Sequence, residues 1–146
     1  MKVLVTGGAG YIGSTVCSAC LDSGLEPIIL DNLATGRREF TKGRLFYEGD
    51  IADGALIDRI FRDHPDLYAV IHCAALIVVP ESVANPARYY RENVTKTIEL
   101  ASHLAGTGVS GSSSARPRRS MLRATASRST RPRPSRRRAR TPAPRP

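Results

Sequence analysis

The chain has 146 residues, a formal net charge of +9, three cysteines and no tryptophan. That length holds one domain at most; an odd cysteine count without framework spacing excludes a disulfide scaffold and points to a reducing, cytoplasmic setting, and no window approaches a membrane span. The charge is uneven: all thirteen acids lie at or before Glu99, against ten Lys/Arg there, whereas residues 100–146 carry twelve arginines and no acid.

The opening run Lys2-Val3-Leu4-Val5-Thr6 is too short for a secretory leader and leads straight into Gly7-Gly8-Ala9-Gly10-Tyr11-Ile12-Gly13. An apolar strand, three glycines spaced three apart and an immediate helical pattern form the turn that receives a pyrophosphate on backbone amides. Gly7 permits the turn, Gly10 lets backbone approach phosphate, and Gly13 lets the helix pack close on the sheet. Tyr11 and Ile12 belong to the same binding turn. The spacing predicts a helix over 11–23, with Ile12, Val16, Ala19 and Cys20 recurring at helical intervals and Gly24 as its stop. Cys17 and Cys20 read as helix packing, and no metal site is expected.

Pro27-Ile28-Ile29-Leu30 reads as a buried parallel strand ending in Asp31-Asn32. Asp31 lies eighteen residues past Gly13, the place of the acid that accepts hydrogen bonds from the adenosine ribose. A carboxylate there repels an added phosphate, so the expected cofactor is NAD and not NADP. Residues 33–44 read as a solvated polar loop. Leu45-Phe46-Tyr47-Glu48 is the third strand, and Asp50 and Ile51 after it are placed for the edge and face of an adenine ring or for a plain turn. Asp53 caps the next helix, whose apolar face is expected from Ala55, Leu56, Ile60 and Phe61, with Pro65 closing it.

Tyr68-Ala69-Val70-Ile71 is the fourth strand. It ends in His72-Cys73-Ala74-Ala75, where the small Ala74 and Ala75 let a cofactor lie against backbone. His72 reads as a satisfied structural histidine. A long helix is expected from Pro80 to about Ala105, with Tyr89, Val94, Ile98 and Leu100 on its inner face. Asn93 is its polar inward candidate, either a structural bridge or part of a proton path. The whole is an α/β, truncated Rossmann-type doubly wound parallel sheet of order 3-2-1-4, an NAD-binding domain over 1–105. Strand four would be central in a full sheet, and its outer edge has no obvious partner.

Residues 1–100 resemble the extended short-chain dehydrogenase/reductase superfamily and, within it, the NAD-dependent UDP-glucose 4-epimerase family. The resemblance rests on Thr6 through Ser14, on Asp31-Asn32-Leu33, on Gly49-Asp50-Ile51, and above all on His72-Cys73-Ala74-Ala75 through Glu81-Ser82-Val83 to Tyr89-Tyr90-Arg91-Glu92-Asn93-Val94. Other nucleotide-sugar epimerases and dehydratases of the superfamily are the alternative. Many members carry a lysine at the place of Ile77, a departure here. The resemblance implies a cofactor role for Gly7, Gly10, Tyr11, Ile12, Gly13, Asp31, Asn32, Asp50, Ile51, Ala74, Ala75 and Asn93. It also implies transient oxidation of a UDP-glucose or UDP-galactose substrate at C4, a homodimer, and a catalytic Ser or Thr with a Tyr-x-x-x-Lys pair whose lysine lowers the tyrosine pKa. No tyrosine of this chain has a lysine four residues on, so no catalytic residue is assigned.

From about residue 106 the composition turns to Arg, Pro, Ser, Ala and Thr, a low-complexity tail expected to be disordered. One reading is a basic arm that meets nucleic acid through charge alone, with no aromatic to stack bases. A second is a frame change near Thr107–Gly111. In the shifted frame residues 112–121 permit Phe-Val-Phe-Ser-Ser-Ser-Ala-Ser-Ile-Tyr, and Thr141-Pro142-Ala143-Pro144-Arg145 permits Tyr-Ala-Arg-Thr-Lys. Under this reading the chain is a catalytically incompetent epimerase fragment.

Overall fold

The structure, a computed structural model, describes residues 1–106; the tail expected to be disordered lies outside them. In chain order the elements are β1 (Lys2–Thr6), α1 (Tyr11–Asp22), β2 (Glu26–Asp31), a 3-10 turn (Arg38–Thr41), β3 (Leu45–Glu48), α2 (Gly54–Asp63) and β4 (Leu67–His72). Then come α3 (Val79–Ala84), α4 (Pro86–Tyr90), a π turn (Arg91–Thr95) and α5 (Lys96–Gly106). The strands form one parallel sheet in the order β3-β2-β1-β4, the expected Rossmann-type topology. Val5 stands opposite Ile29 on one side and Ile71 on the other.

Alternation along the strands splits the core between two faces. Leu4, Ile28 and Leu30 pack with Ile57 and Ile60 of α2 and Leu100 of α5. Val3, Val5 and Ile29 pack on the opposite face with Cys17 of α1. Each such fully buried aliphatic side chain is worth about 1.5–3 kcal/mol of transfer free energy. Every strand therefore points its carboxyl end at the same rim.

Three expectations need correction. The inner face of α1 is Gly13, Cys17 and Cys20, not the face of Ile12, which is 63% exposed. In α2 the buried pair is Ile57 and Ile60, while Ala55 faces solvent. Asp53 does cap this helix, its carboxylate accepting from Leu56 N at 3.1 Å. The third correction is the largest. The single helix expected from Pro80 to Ala105 is broken at Asn85, whose φ of −138° and ψ of 69° are non-helical. Pro86 causes this, because its ring excludes the helical conformation for the residue before it. The Asn85 side chain then caps α4 by accepting from Arg88 N. Further on, one turn of the helix widens to a π turn over Arg91–Thr95. Tyr89 and Leu100 stay buried, but Val94 is 46% and Ile98 59% exposed. The polar connection 33–44 also gains one 3-10 turn, in which Thr41 donates to Arg38 O.

Among the described residues no helix is long and apolar enough to cross a membrane.

Candidate functional site

The site begins at the turn between β1 and α1. Gly7 sits at φ +69°, in the left-handed region, and a Cβ there would lie 2.6 Å from Ala74 N. The loop after β4 is thus pressed against the turn, which fixes Ala74 in place with Ala75 exposed beside it. A Cβ on Gly13 would come within 2.1 Å of Gly7 O, so the first turn of α1 rests directly on the glycine turn. The first bond of α1 runs from Ser14 N to Gly10 O. The amides of Tyr11, Ile12 and Gly13 precede it and have no helical acceptor, and they carry the positive end of the helix dipole. With no acidic side chain in that first turn, the end of the helix is set to receive an anion.

Asp31, at the end of β2, is buried. One carboxylate oxygen accepts from Ala9 N at 2.9 Å and the other from Leu33 N at 2.8 Å. Both oxygens keep a further lone pair. The bond to Leu33 holds that residue at φ +57°, a conformation that costs a side-chain-bearing residue about 1–3 kcal/mol. The segment then folds back over the carboxylate. Gly36 lies so close that a Cβ would be 2.9 Å from Asp31 Oδ1, and Arg37 N donates to Ala9 O at 2.9 Å. The left-handed backbone of Leu33 and the role of Gly36 escaped the sequence reading; a glycine five residues past the acid was the available signal.

The loop after β3 joins at Gly49, whose N–H donates to Asp31 O at 3.1 Å. Asp50 accepts from Ala52 N at 2.9 Å and from Lys96 Nζ at 2.6 Å, and is hydrogen-bonded to the Asn32 side chain. Burial alone would raise the Asp50 pKa, but the hydrogen bonds from Lys96 and Ala52 outweigh it and hold the carboxyl below its ordinary value. Ile51 is buried beside it in the core that includes Leu30 and Ile57.

The π turn and the start of α5 reach the strand ends through side chains. Asn93 donates from Nδ2 to Leu76 O at 2.9 Å and accepts at Oδ1 from Leu76 N at 2.8 Å, which is the structural bridge foreseen for it. Thr97 Oγ1 donates to Asn93 O at 2.8 Å and therefore accepts from His72 Nε2 at 3.0 Å. His72 Nδ1 is left to accept from Thr6 Oγ1 at 2.7 Å, so the network assigns the neutral Nε2–H tautomer. Desolvation of the ring lowers its pKa in the same direction. His72 is thus satisfied on both nitrogens. Thr97 and Lys96 were not singled out from the sequence, because their partners His72 and Asp50 are remote in sequence and only the fold brings them together.

A glycine cradle that any Cβ would fill, free helix amides and a buried acid at the end of β2 fit a dinucleotide. Known proteins agree. Residues 3–133 match the model of the NAD dependent epimerase/dehydratase family. The chain belongs to that family. UDP-glucose 4-epimerase of Klebsiella pneumoniae is 47% identical over 117 residues, covering 75% of this chain and 84% of that protein. The crystal structure of the Brucella ovis UDP-glucose 4-epimerase in complex with NAD superposes with a TM-score of 0.70 at 41% identity, over 74% of this chain and 33% of that one. The Thermotoga maritima enzyme with UDP-glucose superposes at 0.67 with 39% identity, over 75% of this chain and 35% of that one. The chain spans about a third of the length of other curated relatives, such as the 31% covered in the Azospirillum brasilense protein. The chain is therefore similar to the N-terminal, NAD-binding region of the UDP-glucose 4-epimerases. Among the described residues no group of His, Cys, Asp or Glu is placed to hold a metal ion.

Proposed function

We propose that residues 1–105 bind NAD, that the binding site is the one predicted from sequence, and that the chain as written does not turn over a nucleotide-sugar. The observation that carries the reading is the turn in which Gly7 and Gly13 leave no room for a Cβ, and Gly10 little, beside three helix amides. The amides of Tyr11, Ile12 and Gly13 donate to the pyrophosphate. Asp31 accepts from the adenosine ribose through the lone pairs its two backbone donors leave free, and its charge rejects a 2′-phosphate. Asn32 and Asp50 border the adenine edge and Ile51 its face. Ala74 and Ala75 leave the end of β4 low enough for the nicotinamide side, and Asn93 holds the adjoining loop by its grip on Leu76. Bound NAD supplies a hydride acceptor for the sugar carbon.

The substrate class of this reading is UDP-glucose and UDP-galactose. Inactivity rests on the sequence: no tyrosine stands four residues before a lysine, so no pair is available to lower a tyrosine pKa and remove the sugar proton. The arginine-rich residues 106–146 stand apart as an out-of-frame tail. A calorimetric titration with NAD and NADP, run beside an epimerase assay on the same purified chain, tests both halves. The expected result is saturable NAD binding, weaker NADP binding and no turnover. Absence of NAD binding would overturn the site; turnover above background would overturn the inactivity. Rereading the nucleotides across residues 105–111 tests the tail: a frame that reopens through Tyr-Ala-Arg-Thr-Lys is expected.

A further inference from the structure

Lys96 is the first residue of α5, and its side chain is only 16% exposed. It reaches across to the loop after β3, 46 residues away in sequence, and stands 2.6 Å from Asp50 Oδ2. On its other side it stands 2.7 Å from Glu92 Oε2, one helical turn back. Two carboxylates thus share one ammonium. The charged groups that face Asp50 are Lys96 and, beyond that ammonium, Glu92. Most surface ion pairs contribute little, because both partners are solvated and free to move. This one differs: its cation is largely withdrawn from water, and Asp50 is already fixed at its other oxygen by Ala52 N. Without the ammonium, Asp50 and Glu92 would face each other as like charges, and the Asp50 side chain would turn away.

We propose that Lys96 is a positioning residue for the nucleotide site, whose ammonium holds the Asp50 carboxylate, and with it the loop Gly49–Ile51, in the orientation that meets the adenine amino group. The inference rests on the NAD reading above. The π turn and the first residues of α5 carry Asn93, Lys96 and Thr97 to the loop after β4, the loop after β3 and the end of β4 respectively. One short stretch of helix therefore sets both ends of the binding rim.

The test is NAD binding by calorimetry on the full chain, from neutral pH down to about pH 2.5, which reaches below the ordinary carboxylate range. An ionised Asp50 accepts from the adenine amino group and a protonated one does not, so affinity falls as pH drops through the Asp50 pKa. Lys96→Met is expected to raise the Kd about tenfold at neutral pH and to move the acid limb to higher pH. Lys96→Arg restores both in large part. Asp50→Asn, whose amide oxygen can still accept but does not titrate, removes the part of the acid limb that Asp50 contributes. Glu92→Gln leaves the whole ammonium to Asp50 and moves the limb to lower pH, the opposite sign. That variant keeps the test open should Lys96→Met fail to fold. A merely structural lysine would lower the melting temperature without moving the limb. An unmoved limb in Lys96→Met or Glu92→Gln, with wild-type binding intact, overturns the role of Lys96 alone. Absence of NAD binding by the wild-type chain overturns the NAD reading, and this inference falls with it.

Discussion

The Gly7–Gly13 turn and the Arg91–Thr95 turn both sit at the carboxyl rim of the sheet, yet they are fixed by opposite means. The first is backbone against backbone. Glycines bring the turn, α1 and the loop after β4 into contact, and the acid that completes it is clamped by two main-chain amides. The second is side chain against loop: Asn93, Lys96 and Thr97 reach out to backbone and side-chain partners, while apolar Val94 and Ile98 face away from the sheet. A cradle of the first kind has no slack, and any added atom must displace main chain. A clamp of the second kind can lose one contact and keep the others.

Substitutions should therefore separate the two regions. Gly13→Val forces a Cβ onto Gly7 O and is expected to cost on the order of 3 kcal/mol or more, read as a collapse of the thermal melt together with loss of NAD binding. Ile29→Ala, in the fully buried face beneath the cradle, should cost about 3 kcal/mol by denaturant titration. Asn93→Ala strips both polar groups of Leu76 of their partner. A cost of about 1–2 kcal/mol is expected, with faster hydrogen exchange at the Leu76 amide while α1 stays protected. If Asn93→Ala unprotects α1 as well, the two regions are one unit and the contrast fails.

Alkaline pH reaches the cradle side through Cys17. Burial pushes the Cys17 thiol up to about 11 from an ordinary 9.0, so the folded state keeps the proton that the unfolded chain releases. Stability should be intact below pH 9.0 and fall as pH rises toward 11, read as a dropping melting temperature. Replacing Cys17 by Ala should flatten that slope. Ile98→Ser, on the outward side of α5, should change stability by no more than about 0.5 kcal/mol.

How far the sequence foretold the molecule follows the same division. The cradle was legible because glycine spacing, a preceding apolar run and a distant acid are local signals, and each has a steric or electrostatic cause. Strand order followed from the alternation of strands and helices. The clamp was not legible. The inner face of this segment was assigned by apolarity and not by phase: at about 100° per residue Val94 and Ile98 lie on the side of the helix away from Tyr89 and Leu100, and that is where they are exposed. The break at Asn85 was written in the following proline and could have been found. In α2 the expected Leu56, Ile60 and Phe61 do pack on the core, but Ala55 took the place of Ile57. Lys96 carried no signal of its own, since its partner Asp50 is remote in sequence and only the fold brings them together.

The π turn has a further consequence for how this segment tolerates insertion and deletion. Each residue of a regular helix advances the facing direction by about 100°. A π turn takes up one surplus residue inside a single widened turn, so the residues after it face as they would in a regular helix one residue shorter. Removing one residue from Arg91–Thr95 would therefore leave Leu100 in the core it shares with Leu4 and Ile57 and keep the hydroxyl of Thr97 on His72. Removing a second would rotate both away by about 100°. The stretch holds one residue in reserve, and a deletion there is absorbed once and not twice.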